Sequence, residues 1–273
     1  MTAAPALRAG WRAELELGFT CTGPRTVLSH RRHAGPLLVQ RPFYPEGGIC
    51  HVYVVHPPGG VVAGDELRLQ CEVGPGAQVL VTTPAAGKFY RSEGALSIFE
   101  QQLRVDGGVL EWLPQESIFF PGTAARVRTR IDLKNDARVI ACEVSCFGLP
   151  ANQAPFASGS VRQELELWRE HRPLLLDHLN LEPAAVAARW GLAAQPALGT
   201  LLAAPAGESD LQRARAVLEG RGAASATLLD GVLLCRGIAA RADQLRALLM
   251  QVWNALRPGL HGAAPIAPRI WAT

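Results

Sequence analysis

The sequence predicts a mainly β protein: a stacked, β-helix-like or sandwich body of many strands, with two α-helices in the C-terminal third. Three observations carry this. Apolar and polar residues alternate with period two through the first two-thirds of the chain. Turns rich in Gly and Pro separate these runs at short intervals. Helix-period segments are absent before residue 181 and appear only beyond it.

Taken in order, residues 11–17 (WRAELEL) and 66–71 (ELRLQC) alternate strictly, and residues 44–91 hold three extended runs between Gly- and Pro-rich turns. Strands follow at 78–82 and 97–105. Asp106-Gly107-Gly108 then sits between two alternating runs, which reads as a hairpin turn. Further strands are expected at 109–113, 126–133, 138–146, 161–168 and 174–181, with Lys134-Asn135-Asp136 as another turn. In the last third, Ser209-Asp210-Leu211-Gln212 reads as a capping box and Gly220 as a stop, which predicts a short helix between them. Residues 227–234 read as strand, or as two paired strands around Asp230-Gly231. Leu245, Leu248, Leu249, Val252, Trp253 and Leu256 share one face of a second helix, which Pro258-Gly259 is expected to end. The Arg and Trp of the closing residues 267–273 predict a docked tail.

Of the 273 residues, 48% are hydrophobic and 19% charged, enough for a substantial core and too apolar for disorder. The stretch 191–207 is the best linker candidate, but it is apolar enough to pack, so residues 1–273 read as a single domain. A net charge of +3 with scattered basic residues argues against nucleic acid or a membrane surface as a partner. Six cysteines without a CxxC read as buried free thiols of a reducing compartment. The first residues lack the apolar core of a signal peptide, and Arg189, Gly191, Pro196 and Pro205 interrupt the most apolar stretch, so a cytoplasmic address is expected.

Chemical motifs are mostly excluded. Gly87-Lys88 lacks both parts of a phosphate-binding loop: Thr82 stands where the first Gly belongs and Phe89 where a Ser or Thr would hold Mg²⁺. Cys142 and Cys146 share a strand face but lie roughly 13 Å apart, too far to ligate one ion. His51 and His56 read as ordinary strand residues, and no complete metal motif is encoded locally. No nucleophile elbow is present. Carboxylates adjoin at Asp65–Glu66 and lie near one another at Glu111 and Glu116, without any sign in the sequence that they converge.

Three segments then fall in order: His56-Pro57-Pro58-Gly59-Gly60-Val61-Val62-Ala63-Gly64-Asp65, Thr82-Thr83-Pro84-Ala85-Ala86-Gly87-Lys88-Phe89-Tyr90-Arg91, and Trp112-Leu113-Pro114-Gln115-Glu116. With the closing Pro268-Arg269-Ile270-Trp271-Ala272-Thr273, they resemble the urease accessory protein family UreD (also called UreH) nearly end to end. The resemblance implies a non-enzymatic cytoplasmic scaffold that binds apo-urease and, with UreF and the GTPase UreG, supports GTP-dependent nickel insertion. It also implies an unusual stack of strands with two helices, and a heteromeric complex in which two copies of the chain can meet. No tightly bound cofactor is expected; nickel is cargo in transit along an internal passage. Carried over by motif, Asp65 and Glu116 are the expected metal-passage residues, with Thr83 and Lys88 nearby. Scattered oxygen and nitrogen donors suit a metal in transit, because a complete cage would trap it. One departure stands out: Leu149 and Ala154 occupy positions where the family commonly has Arg and Glu, which puts a polar role for that turn in doubt. The competing reading is a β-helical carbohydrate-active enzyme using Asp65 and Glu116 as a carboxylate pair about 5 to 10 Å apart.

Overall fold

A computed structural model describes residues 10–262 and 264–272. Residues 1–9, where part of the signal-peptide reading falls, and the final Thr273 of the closing motif lie outside it. Numbered along the chain, seven strands form one sheet: β1 (Arg12–Thr22), β2 (Arg25–Ala34), β5 (Glu66–Val73), β8 (Ser97–Asp106), β11 (Ala124–Lys134), β14 (Ser160–Arg169) and β15 (Arg172–Leu181). The order across it is β15-β14-β11-β8-β5-β1-β2. The second sheet runs β17 (Ala223–Leu229), β18 (Val232–Ala239), β16 (Ala197–Ala204), β12 (Arg138–Leu149), β9 (Val109–Leu113), β6 (Gln78–Thr82), β4 (Cys50–Val55) and β3 (Leu38–Val39). The shorter β7 (Gly87–Phe89), β10 (Ser117–Phe119) and β13 (Ala154–Pro155) attach to the side of β12.

The mainly β reading holds, and the parallel pairing explains the stack. β1, β5, β8, β11 and β14 are parallel neighbours, as are β4, β6, β9 and β12. The chain therefore coils, laying one strand on each sheet per turn. This corrects the hairpin expected at Asp106-Gly107-Gly108: β8 and β9 belong to different sheets, and the turn is a corner of the coil. Apolar faces on both sides of that corner point into the same interior, so local alternation cannot tell the two apart. Successive corners hydrogen-bond along the stack, Gly76 N–H to Gly107 O at 2.8 Å and Gly107 N–H to Lys134 O at 3.2 Å. A Cβ on Gly108 would lie 2.6 Å from the Gly74 carbonyl oxygen, so only glycine allows the corners to approach this closely.

Inward residues such as Leu15, Leu69, Leu103 and Ile131 of the first sheet meet Val79, Leu110 and Val139 of the second in the main core. The outer face of the second sheet is covered by α2 (Glu208–Leu218) and α3 (Ala242–His261), which build a second core around Leu201, Leu233, Leu249 and Trp253. β16 feeds both cores. All eight of its residues are buried, which makes part of the stretch considered as a linker a central strand. Gly199 clears space for α3, since a Cβ there would meet Leu249 Cδ1 at 2.7 Å.

Helix boundaries depart from expectation in three places. α2 starts at Glu208, earlier than the Ser209 box implied, because Asp210 Oδ2 accepts from Gly207 N–H at 2.9 Å. α3 continues through Pro258, which forfeits one backbone bond, and ends at Gly262 with φ 70°. A five-residue helix, α1 (Pro183–Ala187), had no sequence signal. The Asp230-Gly231 turn is a true hairpin, with φ 48° and 75°, joining β17 to β18. None of the described helices is long and apolar enough to cross a membrane.

Candidate functional site

The signature segments, far apart in sequence, pack into one wall. Val61 N–H donates to Lys88 O at 2.7 Å and Tyr90 N–H to Val61 O at 2.9 Å, which joins the first segment to the second. Gly60 permits this approach, since a Cβ there would lie 2.3 Å from the Tyr90 ring. Gly87 N–H donates to Glu116 O at 2.8 Å, and β7, β10 and the far half of β12 run parallel. Their inward rings form a ladder: Phe89 to Phe119 at 4.8 Å, Phe119 to Phe147 at 5.4 Å, then Phe156 edge-on at 5.8 Å.

Behind this wall lies a cavity of about 300 Å³. Thr83 and Lys88 line it; Asp65 and Glu116 are not among its lining residues. Lys88 is exposed, so the cavity reaches the surface at the second signature segment. Thr83 Oγ1 donates to Ala85 O and accepts from Gln115 N–H, which holds its turn closed. Asp65 is only 4% exposed, and its two oxygens accept from Trp11 N–H at 2.8 Å and Val62 N–H at 2.9 Å. A carboxylate engaged in this way is not presented to a sugar, and the carbohydrate reading gains no support. His56 lines the cavity; burial lowers its pKa and Asp65 opposes the shift.

Deeper inside, polar groups missed by sequence reasoning form a connected line. Gln101 Nε2 donates to Thr129 Oγ1 at 3.0 Å, and Thr129 donates to Glu143 Oε1 at 2.5 Å. Trp112 Nε1 also donates to Glu143, at 3.3 Å. Burial raises the Glu143 pKa, against the hydrogen bonds from Thr129 and Trp112, and the charge of Asp177 adds to the rise. Gln163 Nε2 donates to Ser145 Oγ at 2.8 Å, while its buried Oε1 has no partner. Glu143, Ser145 and Gln163 also line a second cavity of about 20 Å³, reaching Asp177 and Thr200. Asp177 pairs with Arg236, which donates to Thr200 Oγ1 at 3.2 Å. The signal for this line was present: Gln101, Thr129, Gln163 and Asp177 occupy inward positions of alternating strands where an apolar residue belongs.

A second buried network ties α3 to the coil. Arg257, 0% exposed, donates to Glu111 Oε1 at 2.9 Å and pairs with Glu46 Oε2 at 2.7 Å. Trp253 Nε1 donates to Glu111 at 2.6 Å, and His51 Nε2 lies 2.7 Å from Glu46 Oε1. Glu111 thus belongs to a structural cluster and not to a pair with Glu116. The tail docks as expected, with Trp271 Nε1 donating to Thr82 Oγ1 at 2.9 Å. Five of the six free cysteines are buried, and Cys21 is the exposed exception. Burial pushes the Cys142 thiol up to about 12 and that of Cys146 to about 11. Among the described residues no group of three or more His, Cys, Asp or Glu could hold a metal ion.

Fold and site together define a coiled two-sheet β protein whose interior cavity, mostly apolar in its lining with a few buried polar groups, opens through its signature segments. Comparison with known proteins gives the family: the UreD urease accessory protein family matches residues 11–272, and the chain belongs to it. A protein named urease accessory protein UreD from Klebsiella aerogenes is 42% identical over 271 residues, covering 98% of this chain and 99% of its own. Proteins of the same name from Alkalilimnicola ehrlichii and Azoarcus sp. are each 43% identical, covering 97% and 98% of this chain and 92% and 96% of theirs.

Proposed function

We propose that this chain is a non-catalytic scaffold of urease maturation that acts with UreF and the GTPase UreG in GTP-dependent nickel insertion into apo-urease, the metal travelling through the interior cavity. Family membership supports the maturation role. The observation that carries the passage is the polar line Gln101–Thr129–Glu143 with Ser145 and Gln163, set at the junction of the two cavities inside an otherwise apolar coil. Buried polar groups are costly, and a core built only for stability would fill these positions with apolar side chains. Their donors are oxygens and amides spread along a path, which suits a divalent cation that must leave again. Thr83 and Lys88 stand where the path meets solvent. Asp65 serves it indirectly, by closing the first signature turn, and Glu116 through its main-chain carbonyl, which accepts from Gly87 N–H beside the wall.

The test is nickel loading in cells that express apo-urease, UreF and UreG, with and without this chain, read by metal analysis of the purified urease. Loading should fail without it, and normal loading would overturn the scaffold reading. Glu143→Gln keeps the side-chain volume and removes the charge; combined with Asp177→Asn it should cut loading about tenfold while the protein stays folded. Full loading with that folded double variant would remove the passage and leave the scaffold.

A further inference from the structure

We infer that the outer edge of β2, which no other described strand pairs, receives an extended acidic segment of a partner protein as an added strand. β2 closes one side of the first sheet and pairs with β1 on its inner side. Near its start the outer edge is covered, where Thr26 N–H donates to Gly48 O at 2.9 Å. Beyond that point residues 29–35 are exposed on both faces of the sheet, and none of them is proline. Residues 29–34 span about 20 Å, enough for a short added strand to pair through backbone groups.

The side chains there define the partner's chemistry. Ser29-His30-Arg31-Arg32-His33 places two arginines and two histidines within five residues. They alternate across the strand. His30 and Arg32 lie on the outer face, sharing Glu16 at 3.2 and 3.5 Å, while Arg31 turns to the other face and donates to Gln40 O at 2.6 Å. Residues 10–45 carry five arginines against two glutamates, an excess equal to the +3 of the whole chain. Two of these five arginines, Arg31 and Arg32, stand on the exposed edge itself. Charge on an edge is a common defence against unwanted pairing. Here the two arginines stand on opposite faces of the strand, Arg32 beside Glu16 and Arg31 toward Gln40 O, where acidic side chains of an added strand reach both. An added strand with acidic residues at successive positions would meet a cation whichever way each side chain points, and its backbone would complete the ladder.

The probe is a blocked decapeptide of Glu-Glu-Val-Val repeats, which carries acids on both faces of a strand, with Lys-Lys-Val-Val repeats as control, titrated into the full chain by fluorescence anisotropy and followed by amide exchange. The acidic peptide should bind, weaken as salt is raised, and slow exchange at residues 29–34. Arg31→Gln with Arg32→Gln should lower its affinity about tenfold, with the circular dichroism spectrum of the folded chain retained. Equal binding of the Lys peptide, or protection elsewhere in the chain, would overturn the inference. So would binding of anionic vesicles or duplex DNA without the acidic peptide, which would mark a general anionic surface. Protection at 29–34 in the parent chain decides the point even if the double variant fails to fold.

Discussion

Asp65 accepts hydrogen bonds from two backbone amides in different parts of the chain, Trp11 and Val62, while its own N–H closes the turn onto Val62 O. The entry into β1 and the Gly-rich signature turn are thus fixed by one side chain. Asp65→Ala leaves two amides without acceptors and should lower stability by about 2 kcal/mol, measured as a fall in the urea midpoint. An unchanged midpoint would show that water takes over both bonds. Glu143 has the opposite character, since its carboxyl faces a cavity and accepts from side chains. A single sequence makes these two carboxylates look alike. Asp after Gly is a common turn residue, and its structural role was legible. The placement of Glu143 was not, because only the coil decides which strand faces the interior.

Strands in this protein are stabilised by what lies directly above and below them in the stack. Phe119 is the middle rung of the aromatic ladder, stacked on Phe89 on one side and Phe147 on the other. Phe119→Ala removes both contacts and should cost about 4 kcal/mol in urea unfolding, within the usual range for such truncations. On the outer face, Glu164 and Glu166 of β14 sit between arginines of β11. Burial alone would raise the Glu164 pKa, but Arg126 and Arg162 pull it below the usual range; Arg128, Trp168 and His178 do the same for Glu166. A lowered carboxylate pKa contributes stability that is present above the ordinary value and is lost as pH falls through the lowered one. Urea midpoints should therefore decline on acidification below the usual carboxylate range. Glu164→Gln should flatten that decline, and a variant with the parent's pH profile would show that the ladder contributes nothing measurable. Alternation made most of these strands readable. It did not show whether they paired parallel or antiparallel, because corner and hairpin draw on the same Gly, Asn and Asp residues.

At the level of the whole molecule, one buried arginine holds the last helix to the coil. Arg257 meets Glu111, 146 positions away, and Glu46, 211 positions away, with no exposure to solvent. Arg257→Met strands two buried carboxylates and should cost about 3 to 5 kcal/mol. Limited proteolysis should then cut first around α3 and the tail. Cleavage rates equal to those of the parent would mean that packing of Leu249, Val252 and Trp253 alone suffices. Pairings over such separations leave no trace in local composition, so this part of the fold was invisible before the structure.

The second core has a consequence for the order in which the protein can be made. Its sheet face, with Leu201, Leu233 and Cys235, stays uncovered until α3 is available, and Thr82 has no Trp271 to meet until the tail arrives. During synthesis the ribosome releases the coil first and its cover last. The nascent chain therefore spends the last part of translation with a greasy sheet open to its neighbours, an interval in which chaperones or an early-binding partner would have most to protect.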